Sequence, residues 1–505
     1  MTPVFVPTRD RPQELRGCLD ALTRHLVHAQ LDAELIVLDD SETVSAVEQN
    51  TAFVAESAAA NASQLGLSLR SIGAPERQAL ANTICAALSP HAPPSKHPKV
   101  VQAVDFALGL EKNLRSQLGR YGANRNAGLL LSAGTCYISI DNDIRAEFSR
   151  LHPMCGSPRP EQAARTGKGA GRTAATQEAF FMAPLPTASS AAKLCRPDTT
   201  HTLATLLQIV ASPAARAIVP VHLALSGVCG NRWYPRASVG YWAHGTPRDH
   251  SFCTRAEYRA ALRSGYALLQ VPELQRATNT FFATYCYAAN AQSLLPPFPP
   301  LGRSEDLSFA FLVRYLYPNN AIAHLPCMVQ HDLGPPRPFT DEDFDKVGVD
   351  FGTLTRLVIN HLLRTTIPPG SPSGLALLGR RLQLLSKQKP RDWQAFTHGL
   401  YLRYSGELIQ QLEQLLELHE RRPAYWAQDV EEYIALLREN AVASPQTVPP
   451  AVPQEFAGVL SPDEAATEHC RFLRSYGELL EHWPAIWDAA VQLNARESRL
   501  PGAKV

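Results

Sequence analysis

Cys136-Tyr137-Ile138-Ser139-Ile140-Asp141-Asn142-Asp143 decides how this chain is read. Tyr137 to Ile140 have the length and apolar content of a short buried strand, and two carboxylates one residue apart follow at its C-terminal end. In open α/β sheets the ligand crevice lies beyond the carboxyl ends of the strands, so Asp141 and Asp143 fall where a phosphate-bearing ligand and its metal sit. Mg²⁺ and Mn²⁺ take oxygen ligands, commonly one or two carboxylates together with substrate phosphates. The stretch predicts an α/β fold that takes a phosphate-bearing ligand and a divalent cation at this strand end.

Upstream, strand and helix alternate. Pro3 to Thr8 read as a strand, and Arg9-Asp10-Arg11-Pro12 as a polar turn in which Asp10 caps a helix carrying Pro12 in its first turn. Leu15, Leu19, Leu22 and Leu26 keep helical spacing. Glu34 to Leu38 form a second strand ending on Asp39-Asp40-Ser41, an Ala-rich helix runs from about Val44 to about Gln64, and Leu67 to Ile72 form a third strand. Such repeats predict a parallel sheet with helices on both faces. His91 to Pro98 read as an exposed connection before a long helical region, Val100 to about Ser132. Within it, Gly119-Arg120-Tyr121-Gly122-Ala123-Asn124-Arg125-Asn126 has the make-up of a loop opening a helix, and a helix N-terminus near Arg120, Arg125 and Asn126 suits a diphosphate.

Downstream, Ser157 to Thr176 lack apolar periodicity and read as a flexible basic loop, about 156–176. Thr202 to Val221 read as a helix or helix-strand pair. Gly227 to Tyr234 then place Trp233 and Tyr234 beside glycines, either as a platform for a sugar ring or as ordinary aromatic packing. The stiff run Leu295 to Leu301 leads into Gly302-Arg303-Ser304-Glu305-Asp306 at a helix start. Ala321 to Asp332 are strand-like and carry His324 and His331. Beyond Pro338 only helical periodicity remains, interrupted by a Pro-rich segment at about 445–453.

Four markers stand in one order: Val6-Pro7-Thr8-Arg9-Asp10, Leu38-Asp39-Asp40-Ser41, Ala123-Asn124-Arg125-Asn126-Ala127-Gly128-Leu129 and Ile140-Asp141-Asn142-Asp143. In this order they resemble family 2-like glycosyltransferases of the GT-A fold, over roughly the first 150 residues and again at about residue 300. The resemblance implies donor contacts from Thr8, Arg9, Asp10, Asp39 and Asp40, ribose or phosphate contacts from Arg120, Arg125 and Asn126, and a donor site that includes Asp141 and Asn142. It implies a Mn²⁺ or Mg²⁺ site at Asp141 and Asp143, completed by a histidine after the Glu-Asp helix, His331 in preference to His324. It also implies that Asp306 is the general base that deprotonates the acceptor, with Glu305 orienting it or exchanging roles with it. Arg303, Trp233 and Tyr234 then fall on the acceptor side.

The expected architecture is therefore an α/β, GT-A-type (Rossmann-like) domain over 1–340, its sheet mixed and mostly parallel, with an all-α appendage at 341–505. The expected activity is transfer of a sugar from a nucleotide-diphosphate sugar to a hydroxyl of a glycan, lipid, peptide or small molecule, with inversion. The alternatives are a sugar-nucleotide nucleotidyltransferase, for which no Gly-rich, Lys/Arg-bearing signature follows the first strand, and a catalytically silent scaffold acting through its helices, which could also form a homodimer or hold a protein partner.

Composition narrows the partners. Lys plus Arg number 48 against 47 for Asp plus Glu, a net charge of +1, so no global field points to nucleic acid. The ten cysteines are scattered without zinc spacing, which favours reduced thiols and a cytoplasmic location. The first strand begins at Pro3, leaving no room for a leader, and no uninterrupted apolar run is long enough to span a bilayer.

Overall fold

The computed structural model describes residues 1–61, 67–88, 97–111, 118–151, 181–185, 195–212, 221–231, 254–271, 273–277, 283–318, 321–331, 340, 348–370, 373–418, 424–442 and 452–496. β1 (Thr2–Thr8), β2 (Ala33–Asp39) and β3 (Leu67–Ile72) run parallel, and β4 (Cys136–Ile140) lies parallel on the other side of β1. Past β4 the sense changes. β4 pairs antiparallel with β11 (Cys286–Asn290), and β11 pairs antiparallel with β8 (Val221–Asn231). β8 runs parallel to β12 (Ala321–His331), which pairs antiparallel with β5 (Ile144–Leu151), itself antiparallel to β7 (Cys195–Pro197). The order across the sheet is β3-β2-β1-β4-β11-β8-β12-β5-β7, with three short strands attached at the side.

The sheet is thus mixed, and the expectation that it is mostly parallel holds from β3 to β4 and, beyond β4, only between β8 and β12. A parallel neighbour needs a crossover of a dozen or more residues, and only Asp141, Asn142 and Asp143 separate β4 from β5. β5 therefore leaves the side of β4 altogether and joins the sheet next to β12.

Alternation along the strands divides the core. Phe5, Ile36 and Leu38 face one side, together with Leu80 and Ile84 of α3 (Ala74–Leu88), Val104 and Phe106 of α4 (His97–Ala107), and Leu129 and Leu130 of α5 (Tyr121–Leu131). Val4, Val6, Leu35, Val37, Ile138 and Ile140 face the other, against Leu15, Leu19 and Leu22 of α1 (Pro12–His28). The helical region expected over Val100 to Ser132 is two helices: α4 ends before Gly109, whose φ of 68° only glycine adopts readily, and α5 begins at Tyr121, where a loop opening a helix was expected. Helix α3 was not foreseen. The helix predicted from Val44 is described as Val44–Asn61 (α2).

The C-terminal residues are helical as expected, but they are not an appendage. Phe351 and Val358 of Phe351–Thr365 and Phe472, Tyr476, Trp483 and Ile486 of Pro462–Ala495 belong to the first core, whereas Leu412, Trp426, Val430 and Ile434 of Pro390–Leu418 and Ala424–Val442 belong to the second. The last helix also bonds to the sheet domain. Tyr476 donates its hydroxyl to the Pro297 carbonyl at 3.0 Å, Trp483 its indole N–H to Leu295 at 2.6 Å, and Asn494 its amide to Leu130 and Ala133 at 3.1 and 2.9 Å. The basic loop at about 156–176 and most of the segment at about 445–453 lie outside the described residues. Among the described residues, no helix is long and apolar enough to cross a membrane.

The run Phe298 to Gly302 is sewn to the start of α5. Asn126 accepts from Phe298 N at 2.8 Å and donates to the Phe298 and Ala107 carbonyls, Ala123 N donates to Pro300 O, and Gly302 N donates to Leu118 O. Contact is so close that a Cβ on Gly122 would stand 1.9 Å from Pro299 O. Gly122→Ala is expected to destabilise the protein by about 3 kcal/mol, because the clash is with backbone and not with a side chain that can rotate. Urea unfolding checks this; a change within experimental error would mean that the loop is not fixed there.

Candidate active site

The turn after β4 is closed by Ile144 N donating to Asp141 O at 3.1 Å, so three side chains diverge from one point. Asn142 points inward, donating to Thr8 Oγ1 at 3.0 Å with both residues buried. Thr8 and Asn142, expected as donor contacts, are therefore engaged with each other, and their bond fastens the turn to the end of β1. Asp141 and Asp143 project to either side.

Asp141 accepts from Arg125 Nη2 at 2.8 Å, and Arg125 Nε reaches Glu305 Oε1 at 3.4 Å. One buried guanidinium thereby joins the β4 turn to the first residue of α8 (Glu305–Leu316). The approach to that helix is unusual: Gly302 has φ 85°, and Ser304, which carries a side chain, has φ 63°. A non-glycine held in the left-handed region stores strain, and it fixes how Glu305 and Asp306 leave the loop. Asp306 is half-buried and accepts from Leu307 N at 2.7 Å. Burial, with repulsion from Glu305, pushes its carboxyl up to about 7. Burial likewise raises Glu305 and Asp141 above the usual carboxylate range, although Arg125 opposes the shift at both.

Asp143 meets a second cluster. Sheet register places His331, at the end of β12, opposite Ile144 and hence beside Asp143. His331 Nε2 stands 3.5 Å from Asp143 Oδ1, while Asp143 Oδ2 accepts from Arg11 Nη1 at 2.8 Å. Asp143 Oδ1 and His331 Nδ1 are buried and have no hydrogen-bond partner among the described residues. His324, the second choice for a metal ligand, is core: it is 2% exposed, and burial lowers its imidazole to about 3.

No three His, Cys, Asp or Glu residues stand grouped for a metal among the described residues, and Asp141, expected as a ligand with Asp143 and His331, is bonded to Arg125. The donor chemistry nonetheless fits. Two ligands about 2.1 Å from one ion stand roughly 3–3.5 Å apart, which is the spacing of Asp143 Oδ1 and His331 Nε2, and the first is a buried carboxylate oxygen without a donor.

The ends of β1 and β2 form a polar floor. Asp40 Oδ1 accepts from Arg77 Nη2 at 2.9 Å, and Arg77 Nη1 reaches Asp39 O and Asn124 Oδ1 at 3.0 and 3.3 Å. Asp39 is spent on Ser41 N and Asn50 Nδ2. Asp10 does not cap its own helix: its φ of 51° turns the carboxylate across to Glu42 N, Thr43 N and Thr43 Oγ1 ahead of α2. Arg9 pairs with Glu42 at 2.9 Å, and the positive charge of Arg120 is felt at Asp40. Asn126 has its amide bonds inside the protein and is a clamp for the Phe298 loop, so it is not available to a donor as expected. Arg303 is exposed and lies over the Tyr121 ring at 5.8 Å, whereas Trp233 and Tyr234 lie outside the described residues.

Two residues of this site were missed. Arg77 had a signal, a charge in helical register with Leu80, Ile84 and Leu88, all buried. Arg11 had none beyond its place in a polar turn. A scan against models of known families and searches among characterised proteins and solved structures gave no match to this chain.

Proposed function

We propose that the chain is a metal-dependent glycosyltransferase of the GT-A kind, moving a sugar from a nucleotide-diphosphate sugar to an acceptor hydroxyl with inversion, in the cytosol. The observation that supports this most is convergence: Arg125 joins Asp141 to Glu305, and His331 stands beside Asp143, so residues far apart in sequence meet at one strand end. Asp143 and His331 would hold a Mn²⁺ or Mg²⁺ ion, which as a Lewis acid neutralises charge on the leaving diphosphate. Asp306, its carboxyl raised to about 7, is matched to accept a proton from the attacking hydroxyl near neutral pH. Glu305, held by Arg125, orients that carboxylate or the acceptor. Arg9 and Arg120 put positive charge on the donor side, and Arg303 stands on the acceptor side.

Release of nucleoside diphosphate from a panel of nucleotide-sugars with Mn²⁺ tests the reading. Asp143→Ala and His331→Ala should each lower metal-dependent turnover about a hundredfold or more. Unchanged turnover in both would sink the metal assignment, and pyrophosphate as the released product would point to a nucleotidyltransferase. One observation favours a silent binding protein: both carboxylates of the turn are already neutralised by arginines. Calorimetry with no Mn²⁺-dependent nucleotide-sugar affinity in the wild type would make that the better reading.

A further inference from the structure

We propose that Arg11 is a mobile phosphate ligand, holding Asp143 while the site is free of metal and passing to the donor diphosphate once a divalent cation takes that carboxylate. This rests on the glycosyltransferase reading of the site. The two arginines that neutralise the β4 turn are built differently. Arg125 is 8% exposed and bonded to two carboxylates, so it cannot leave without stranding both. Arg11 is 38% exposed, its one described partner is Asp143, and it stands at the N-cap position of α1, where its side chain makes no capping bond.

The charges dictate an exchange. A divalent ion at Asp143 Oδ1 and His331 would stand beside a guanidinium bonded to the other oxygen of the same carboxylate. Like charges at that spacing repel, and of the two cations only Arg11 is free to move. A donor diphosphate brought by the same ion offers the displaced fork a partner of better geometry than the single oxygen it gave up, because guanidinium binds phosphate bidentately. Arg11 thus opposes metal binding alone and favours metal binding with nucleotide, which is a positive coupling between the two ligands.

Calorimetry on the full chain tests this by titrating Mn²⁺ alone, and then whichever of UDP, GDP, dTDP and ADP binds most tightly in the presence of Mn²⁺. In Arg11→Gln, Mn²⁺ alone should bind roughly two- to fivefold more tightly, the range set by a partly exposed ion pair. The nucleotide with Mn²⁺ should bind about ten- to a hundredfold more weakly, as expected for lost charge-assisted bonds to phosphate. Arg11→Lys, which keeps the charge without the fork, should leave Mn²⁺ affinity near that of the wild type and still weaken nucleotide binding. Effects of the same sign on both ligands, or no effect on either, overturn the proposal while leaving the site reading intact. A wild type that binds neither Mn²⁺ nor any of the nucleotides overturns both.

Discussion

Asp306→Asn is expected to abolish transfer and, at the same time, to make the protein more stable above pH 7. Loss of a general base lowers the rate by about 10²–10⁴-fold. The stability gain follows from the raised carboxyl. Its folded value of about 7 lies above the ordinary 3.8, because burial and Glu305 both oppose the charge. The folded state therefore binds this proton more tightly than the unfolded state does. Below about pH 4 both states are protonated and the residue makes no difference. Between about pH 4 and the folded value the unfolded state gives up this proton first and stability falls, and above it the full penalty is present, about 4 kcal/mol from the shift alone and on the order of 1–3 kcal/mol once solvent screening of the half-buried group is allowed for. Urea unfolding at pH 4 and pH 8 should show the variant and the wild type equal at the lower pH, with the variant ahead at the higher. A variant less stable at pH 8 would mean that the carboxylate is not held against its preference.

Arg125→Leu is expected to destabilise the fold by about 3–5 kcal/mol at neutral pH, the loss typical of stranding a buried charge. Here two carboxylates are stranded, Asp141 at 2.8 Å and Glu305 at 3.4 Å. Both already titrate above their usual range, so removing the guanidinium raises them further and their penalty grows with pH. The loss should shrink as pH falls towards 5 and the carboxylates take up protons. Adding Asp141→Asn and Glu305→Gln to Arg125→Leu should recover most of the stability at neutral pH. A loss under about 1 kcal/mol for the single variant would show that Arg125 is dispensable to the junction.

The parallel half of the sheet was legible because each strand is a short apolar run ended by polar residues, and the strand ends already marked the corner where Asp40, Asp141 and His331 lie. The sense of the sheet beyond β4 was not legible: Cys286–Asn290 was not expected as a strand at all, and where periodicity does identify a strand it says nothing about the direction of its neighbour. The start of α5 was legible in Gly119 and Gly122, whereas the end of α4 at Gly109 was not, since nothing in the residues around it marks a stop before a glycine with positive φ. Arg11 and Asp143 stand 132 positions apart, and a bond of that kind leaves no local pattern in either stretch. The stripe Phe472, Leu473, Tyr476, Leu479 and Leu480 announced a helix with an apolar face. It could not announce that the face packs on α3 and α4 of the N-terminal region as well as on the helix Ser373–Leu385.

The bonds from the helix Pro462–Ala495 to Leu295, Pro297, Leu130 and Ala133 have a consequence for synthesis of the chain. They join positions 179 to 364 residues apart, and they grip the run that leads into Glu305 as well as the end of the helix that carries Arg125. Contacts so distant in sequence close late, since the loops between them must be closed first. As the chain leaves the ribosome, β1 to β4 can form while the catalytic corner still lacks its buttress, with Phe106 lacking its partner Phe472 until the last helix has been made. Completion of the site therefore awaits synthesis of Pro462–Ala495.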